Sequence, residues 1–233
     1  ITAENVAREY HITREDQDAF ALESQRRALN AVTQGFFSEQ IVPVEIGKGP
    51  KTSMFEVDEH PKLTDMENLS SLKPVFQKSG SVTAGNSSGL NDGAAALVLG
   101  TKSASKAQGL KIRAQVLGYA HSGVRPEVMG IGPITAVKKL LKKVSLSLKD
   151  FDVIESNEAF AAQACAVSKE LNFDPEIVNP NGGAIALGHP IGATGAILVI
   201  KVLHELERID GSLGLVTMCI GGGQGIALAI ERC

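Results

Sequence analysis

The hydrophobic pattern changes period several times along the chain, and each change predicts an element. Residues 2–35 read as helical. Thr13-Arg14-Glu15-Asp16 resembles a capping signal, Asp16 to Ala31 holds no Gly or Pro, and Gly35 ends the run. Ile41-Val42-Pro43-Val44-Glu45-Ile46 alternates like a strand, and Pro43 puts it at an edge or bulge. Residues 47–80 are polar and irregular, broken by Gly47, Gly49, Pro50, Pro61 and Pro74. A stretch that long is more often a functional surface than a connector.

Beyond it the alternation of elements is clearer. Ser81 to Gly89 is small and polar, and Asn91-Asp92-Gly93 is a turn signal. Ala94 to Leu99 is a continuous apolar run, expected as a strand buried on both faces. Thr101 to Gln108 reads as a helix capped by Gly109, and Ile112 to Tyr119 as a strand. Ile134 to Val144 is an amphipathic helix, Phe151 to Glu155 a short strand, and Ala159 to Leu171 a helix. Pro190 suits a first helical turn, so a long helix is expected from there to about Arg208. Leu213–Ile220 and Ile226–Ile230 read as two strands of a hairpin joined by glycines. Strands alternating with helices, then a final hairpin, predict a layered α/β fold with a mixed sheet.

Composition narrows the classes. The 233 residues are 43% hydrophobic and 21% charged, enough for a core and unlike a disordered chain. The formal net charge of −3 gives no footprint for nucleic acid. Lys138, Lys139, Lys142 and Lys143 form a short basic face, the ordinary look of a solvated helix surface. Three cysteines make no disulfide framework and fit a reducing compartment, cytoplasmic or mitochondrial. No apolar run has the length of a membrane span. The chain opens on Ile1 rather than Met, so the lack of an amino-terminal address carries no weight.

Three segments could carry chemistry. His189, between Gly188 and Pro190, sits at a loop-to-helix junction. The positive helix end there would favour neutral, proton-accepting imidazole. A structural histidine at a helix start is the plainer alternative. Cys219 ends an apolar strand and meets Gly221-Gly222-Gly223, whose bare N–H groups could hold an oxyanion. Its alternative is a small buried hydrophobe. Asn157, just after a short strand, could hold a water or a carbonyl, or could simply cap a helix.

Together the segments are far more specific. Asn157-Glu158-Ala159-Phe160, then Gly188-His189-Pro190-x-Gly192, then Cys219-x-Gly221-Gly222-Gly223 strongly resemble the thiolases, most closely the acetyl-CoA acetyltransferases. The resemblance extends through Val82-Thr83-Ala84-Gly85-Asn86-Ser87-Ser88-Gly89 and Met129-Gly130-Ile131-Gly132-Pro133. It implies a thiolase-like layered αβαβα fold, here mainly its carboxyl-terminal half with a mixed sheet. Residues 1–80 would be part of the coenzyme A-binding loop domain. Residues 81–109 would be the last strand and helix of the amino-terminal domain, and 110–233 the carboxyl-terminal domain.

The resemblance also implies a reaction, the Claisen condensation of two acetyl-CoA to acetoacetyl-CoA and its reverse thiolysis. His189 would activate a nucleophilic cysteine and help bind the thioester oxygen. Cys219 would move the α-proton, Asn157 would hold a water in one oxyanion hole, and the Gly221 N–H would serve the other. Ser88, Phe76 and Lys62 would contact coenzyme A, and Met129 and Phe160 would line the acyl pocket. Coenzyme A thioesters would be substrates, with no cofactor or metal, and the protein would be a homodimer or homotetramer. One departure stands out: the family's nucleophilic cysteine lies upstream of everything here. Cys165 sits in a helical apolar stretch and Cys233 is terminal, and neither matches a nucleophile motif.

Other readings are weaker. Gly85-Asn86-Ser87-Ser88-Gly89 fits the pattern of a hydrolase nucleophile elbow, but Asn91-Asp92-Gly93 interrupts where a helix must follow. A non-catalytic coenzyme A-binding relative would explain the missing nucleophile, but gives no reason to keep His189, Asn157 and Cys219. A broad 3-ketoacyl-CoA thiolase differs only in acyl length.

Overall fold

The computed structural model describes residues 1–233. The predicted amino-terminal helix is two. α1 (Thr2–Glu9) ends at Tyr10, and His11 turns the chain at a φ of 53°. α2 (Arg14–Thr33) then starts on a full capping box: Asp16 N–H donates to Thr13 Oγ1 at 3.1 Å, and Thr13 N–H to Asp16 at 2.9 Å. α2 buries small and polar residues, among them Gln17, Asp18, Ala21, Ser24 and Ala28. Such a face packs closely and leaves hydrogen-bonding groups inside.

The stretch 47–80 is more ordered than its composition suggested. β1 (Val44–Ile46) pairs antiparallel with β2 (Ser53–Phe55), Pro43 lies just outside the ladder, and α3 (Met66–Ser71) follows, capped by Asp65. The strand expected over Ala94 to Leu99 is absent. The segment pairs with no other strand of the chain, and Val98 and Leu99 are 90% and 82% exposed. A run apolar on both faces needs neighbours on both sides, and none is supplied here. The short helix after it, α4 (Lys102–Ala107), forms.

The remaining elements are β3 (Ala114–Gly123), α5 (Gly132–Val144), β4 (Val153–Ser156), α6 (Ala161–Leu171), α7 (Ala184–Leu187), α8 (Thr194–Arg208), β5 (Leu213–Ile220) and β6 (Gln224–Arg232). The sheet order is β3-β6-β5-β4. β6 runs antiparallel to both neighbours, and β4 and β5 are parallel. The expected mixed sheet and final hairpin are therefore present.

Period-two alternation divides the core between two helical layers. Ile154, Leu215, Ala227 and Ala229 face α5 and α6, where Ile134, Val137, Leu140 and Val167 meet them. Val153, Val216 and Ile230 face Leu198, Val202 and Leu206 of α8. Burying each such side chain stabilises by about 1.5–3 kcal/mol. Lys138, Lys139, Lys142 and Lys143 stay on the solvent side of α5. One crossing is very tight: a Cβ on Gly225 would lie 2.1 Å from the Gly132 carbonyl carbon, and one on Gly132 would lie 2.4 Å from the Gln224 oxygen. The start of β6 thus rests on the first turn of α5, backbone against backbone.

Candidate active site

α7 ends in Gly188, whose φ of 95° and ψ of 165° belong to glycine. This turn carries His189 beyond the helix, and its N–H donates to Asn91 Oδ1 at 3.1 Å. α8 does not begin at Pro190 as its sequence suggested. Pro190 to Ala193 form a turn in which the Pro190 carbonyl accepts from the N–H of Ala193 (2.8 Å) and of Thr194 (2.9 Å), and the helix starts at Thr194. The imidazole is held at both ends. Nδ1 lies 2.7 Å from Thr194 Oγ1, and Nε2 lies 3.3 Å from Asn157 Nδ2. Burial lowers the His189 pKa, so the ring is neutral at neutral pH.

Asn157 follows β4 directly, and its N–H continues the ladder by donating to Thr217 O at 3.0 Å. It does not cap α6, whose capping position is Phe160. Its amide is buried, with Nδ2 towards His189 and Oδ1 without a partner. A buried acceptor left empty costs about 1–3 kcal/mol, so such a group is informative.

Cys219 lies one residue from the end of β5, 5% exposed, with burial pushing its thiol up to about 11. The chain then reverses through Gly221-Gly222-Gly223, with positive φ at Gly222 (87°) and Gly223 (94°). Around Gly221 and Gly192 a Cβ would meet nothing within 4 Å, so both border open space. The parallel register pairs Ser156 with Thr217, putting Asn157 and Cys219 at the same edge of the sheet. α8 begins beside Met218, since a Cβ on Gly195 would touch its sulfur at 3.7 Å. The three motif segments therefore converge on the carboxyl ends of β4 and β5.

The expected binding residues are placed unevenly. Ser88 is half-buried, and its N–H donates to Ala159 O at 3.1 Å. Phe76 meets Phe160 edge-on, with ring centroids 6.1 Å apart. Ser88, Phe76 and Phe160 thus form one group beside Asn157. Met129 is half-buried in the 3-10 turn Pro126–Ile131, which abuts Gly223. Lys62 has an exposed side chain, and its backbone N–H is fixed by Gln25 Oε1 at 2.8 Å. His60, which the sequence did not single out, ties this loop down: its Nδ1 lies 2.9 Å from Ala186 O, and its ring fills the space over Gly89.

Two buried carboxylates support the site and were also missed. Glu158 accepts from Ser24 Oγ (2.7 Å), Asn179 Nδ2 (2.7 Å) and the Ile185 N–H (3.3 Å), joining α2, the 179 loop and α7. Burial pushes its pKa up. Glu155 accepts from Lys201 Nζ at 2.7 Å, and that ammonium also donates to Gly182 O at 2.6 Å. Burial outweighs the Lys201 charge and pushes Glu155 up to about 7. A carboxylate in a strand and a lysine in an apolar helix run were the only sequence signals for this pair. A cavity of about 180 Å³ lies behind Glu158, between Phe20, Arg27, Phe173 and Val178. No group of three or more His, Cys, Asp or Glu side chains converges as metal ligands, and no helix is long and apolar enough to cross a membrane.

Comparison with known proteins adds the following. The family pattern described as "Thiolase, N-terminal domain" matches residues 1–103, and "Thiolase, C-terminal domain" matches residues 110–232. The chain is 55% identical to "Beta-ketothiolase BktB" of Cupriavidus necator and 56% identical to "Acetyl-CoA acetyltransferase" of Escherichia coli, in each case over 100% of this chain and 59% of the relative. The crystal structure of the Bacillus anthracis acetyl-CoA acetyltransferase superposes with a TM-score of 0.97 at 51% identity, again over 100% of this chain and 59% of that one. The chain thus spans about three-fifths of the length of the relatives it matches.

Proposed function

The chain belongs to the thiolase family, and from that premise we propose that it carries the acid–base and oxyanion-binding part of an acetyl-CoA C-acetyltransferase site. The supporting observation is the His189–Asn157 contact, with the unpartnered Asn157 Oδ1 buried beside it and Cys219 at the same sheet edge. Residues 1–80 would supply part of the coenzyme A-binding loop domain, 81–109 the end of the amino-terminal domain, and 110–233 the carboxyl-terminal domain.

In this reading His189, neutral and half-buried, takes the proton of a nucleophilic thiol. The thiolate attacks the acetyl-CoA carbonyl, the bond from that carbonyl to the coenzyme A sulfur breaks, and the Cys219 thiol gives its proton to the departing sulfur, while His189 keeps the first proton for the enzyme thiolate released at the end. Asn157 and the Gly221 N–H hold the oxygens that gain charge. The Cys219 thiolate formed in that transfer then removes an α-proton from a second acetyl-CoA and is a thiol again. The carbanion attacks the enzyme thioester, a carbon–carbon bond forms, and the enzyme thiolate is released as acetoacetyl-CoA departs. A thiol pushed up to about 11 suits this step, because its thiolate is a strong base.

The nucleophile is not among these residues. Burial pushes Cys165 up to about 12, and its thiol meets the Asp16 carbonyl at 3.8 Å. Cys233 follows the end of β6. Coenzyme A thioesters are the substrates in this reading, no bound cofactor takes part, and a homodimer or homotetramer is the expected assembly. The test is intact mass before and after acetyl-CoA. The 233 residues alone should gain no acetyl group, and a longer protein containing them should gain one outside them. An acetyl group on Cys219 would overturn the assignment.

A further inference from the structure

Resting on that reading, we propose that Thr194 is a positioning residue that fixes the tautomer of His189, holding the proton on Nδ1 and leaving Nε2 as the basic nitrogen. Four groups in a row carry the argument. Thr194 Oγ1 lies 3.0 Å from the Pro190 carbonyl oxygen and 2.7 Å from His189 Nδ1, while His189 Nε2 lies 3.3 Å from Asn157 Nδ2. A carbonyl oxygen has no proton to give. Two oxygens 3.0 Å apart repel unless a proton lies between them, and only the Thr194 hydroxyl can supply one. That hydroxyl has a single proton. Towards His189 it therefore offers lone pairs, and Nδ1 must bring the hydrogen.

The far end of the ring agrees. With Nδ1 protonated, the neutral imidazole has a bare Nε2, which matches the Asn157 amide N–H facing it. The opposite tautomer would only require the Asn157 amide to turn and offer its oxygen, so the choice between the two falls to Thr194. The chosen arrangement also leaves Asn157 Oδ1 free, and that atom is buried and unpartnered. Thr194 is itself 3% exposed, so water does not replace its hydroxyl. The turn from Pro190 to Ala193 now has a reason: it brings the first residue of α8 back under the imidazole.

The experiment is nitrogen NMR of the 233-residue chain with isotope-labelled histidine, with the His189 signals assigned by their loss in H189Q. Near neutral pH the wild type should show Nδ1 as the protonated nitrogen and Nε2 as the bare one. T194S keeps the hydroxyl and should keep that pattern. T194V and T194A remove it, and in them Nε2 should gain proton character while amide signals outside residues 188–195 stay in place. A wild-type spectrum with the proton on Nε2 would overturn the proposal, as would an unchanged pattern in T194V or T194A. Should neither of these fold, the wild-type and T194S spectra decide by the same criteria. The readout involves no turnover, so a wrong tautomer sinks this assignment and leaves the acyl-transfer reading to its own test.

Discussion

Lys201 and Glu155 form an ion pair inside the molecule, 2.7 Å apart, with side chains 6% and 0% exposed. The pair fastens α8 to β4, and through Gly182 O it also holds the loop before α7. These elements carry His189 and Asn157, so the pair sets the frame in which they meet.

Lys201→Met should therefore be costly, because it leaves Glu155 buried without its partner. Loss of one member of such a pair costs about 3–5 kcal/mol. Glu155→Leu combined with Lys201→Met should recover much of that loss, since no charge remains buried. Urea unfolding of the three proteins measures it, and a double variant no better than Lys201→Met alone would contradict it.

Glu155 also predicts a pH effect of definite sign. Its folded pKa is raised from 4.5 to about 7, so its contribution is fully present below 4.5 and is lost as pH rises through 7. Glu155→Gln lacks this titration. Relative to Glu155→Gln, the wild type should therefore lose stability between about pH 5 and about pH 8. Lys201, Glu158 and Glu205 face the group in both proteins, so the difference reads Glu155 together with its coupling to them. Urea midpoints at the two pH values give the answer, and a wild type that gains on the variant as pH rises would contradict it.

Gly188→Ala should disturb both stability and the His189 loop. The φ of 95° is strained for alanine, and the new Cβ would lie 2.6 Å from Asn91 Cγ. Backbone strain of this kind costs about 1–3 kcal/mol. Asn91→Ala should relieve only the steric part, so the double variant should be less impaired than the sum of the singles. Denaturation midpoints test this.

One of the three thiols should alkylate well before the other two. Cys233 is exposed and should react first with iodoacetamide. Burial pushes Cys219 up to about 11 and Cys165 up to about 12, so both should resist near about pH 8. Peptide mass spectrometry after timed alkylation reads the order. Rapid modification of Cys165 would contradict it.

The apolar segment over residues 94–99 should make the isolated chain associate. Val98 and Leu99 are exposed and pair with no strand, an open template for aggregation. Val98→Lys with Leu99→Lys should lower light scattering without shifting the unfolding midpoint by more than about 0.5 kcal/mol.

The same segment shows why parts of the fold were legible and others not. Local signals held where a local cause acts. Thr13 and Asp16 cap α2 by direct contact, and Ile134, Val137 and Leu140 face the core because their spacing follows the helix. Ala94 to Leu99 reads as a buried strand because its composition is right, but a strand exists only with partners. The break at His11 rests on one positive φ that the polar sequence around it does not announce. Pro190 obeyed a rule for helix starts but was overridden by a turn that serves His189. Asn91 read as a turn residue, and its side chain in fact accepts the His189 N–H from 98 positions away. Thr194, Glu155 and Lys201 were silent for the same reason, since their roles are pairings across the fold.

The crossing of Gly132 and Gly225 bears on how this protein can change over time. Gly225 sits opposite Cys219 in the β5–β6 ladder, so the depth of that thiol depends on how closely β6 lies on α5. Most tight contacts can drift, because a larger residue on one side is answered by a smaller one on the other. Here both sides already carry the smallest residue there is. Neither position has a compensating move, so mutation can explore the surrounding helix and strand freely while this dimension of the site stays locked.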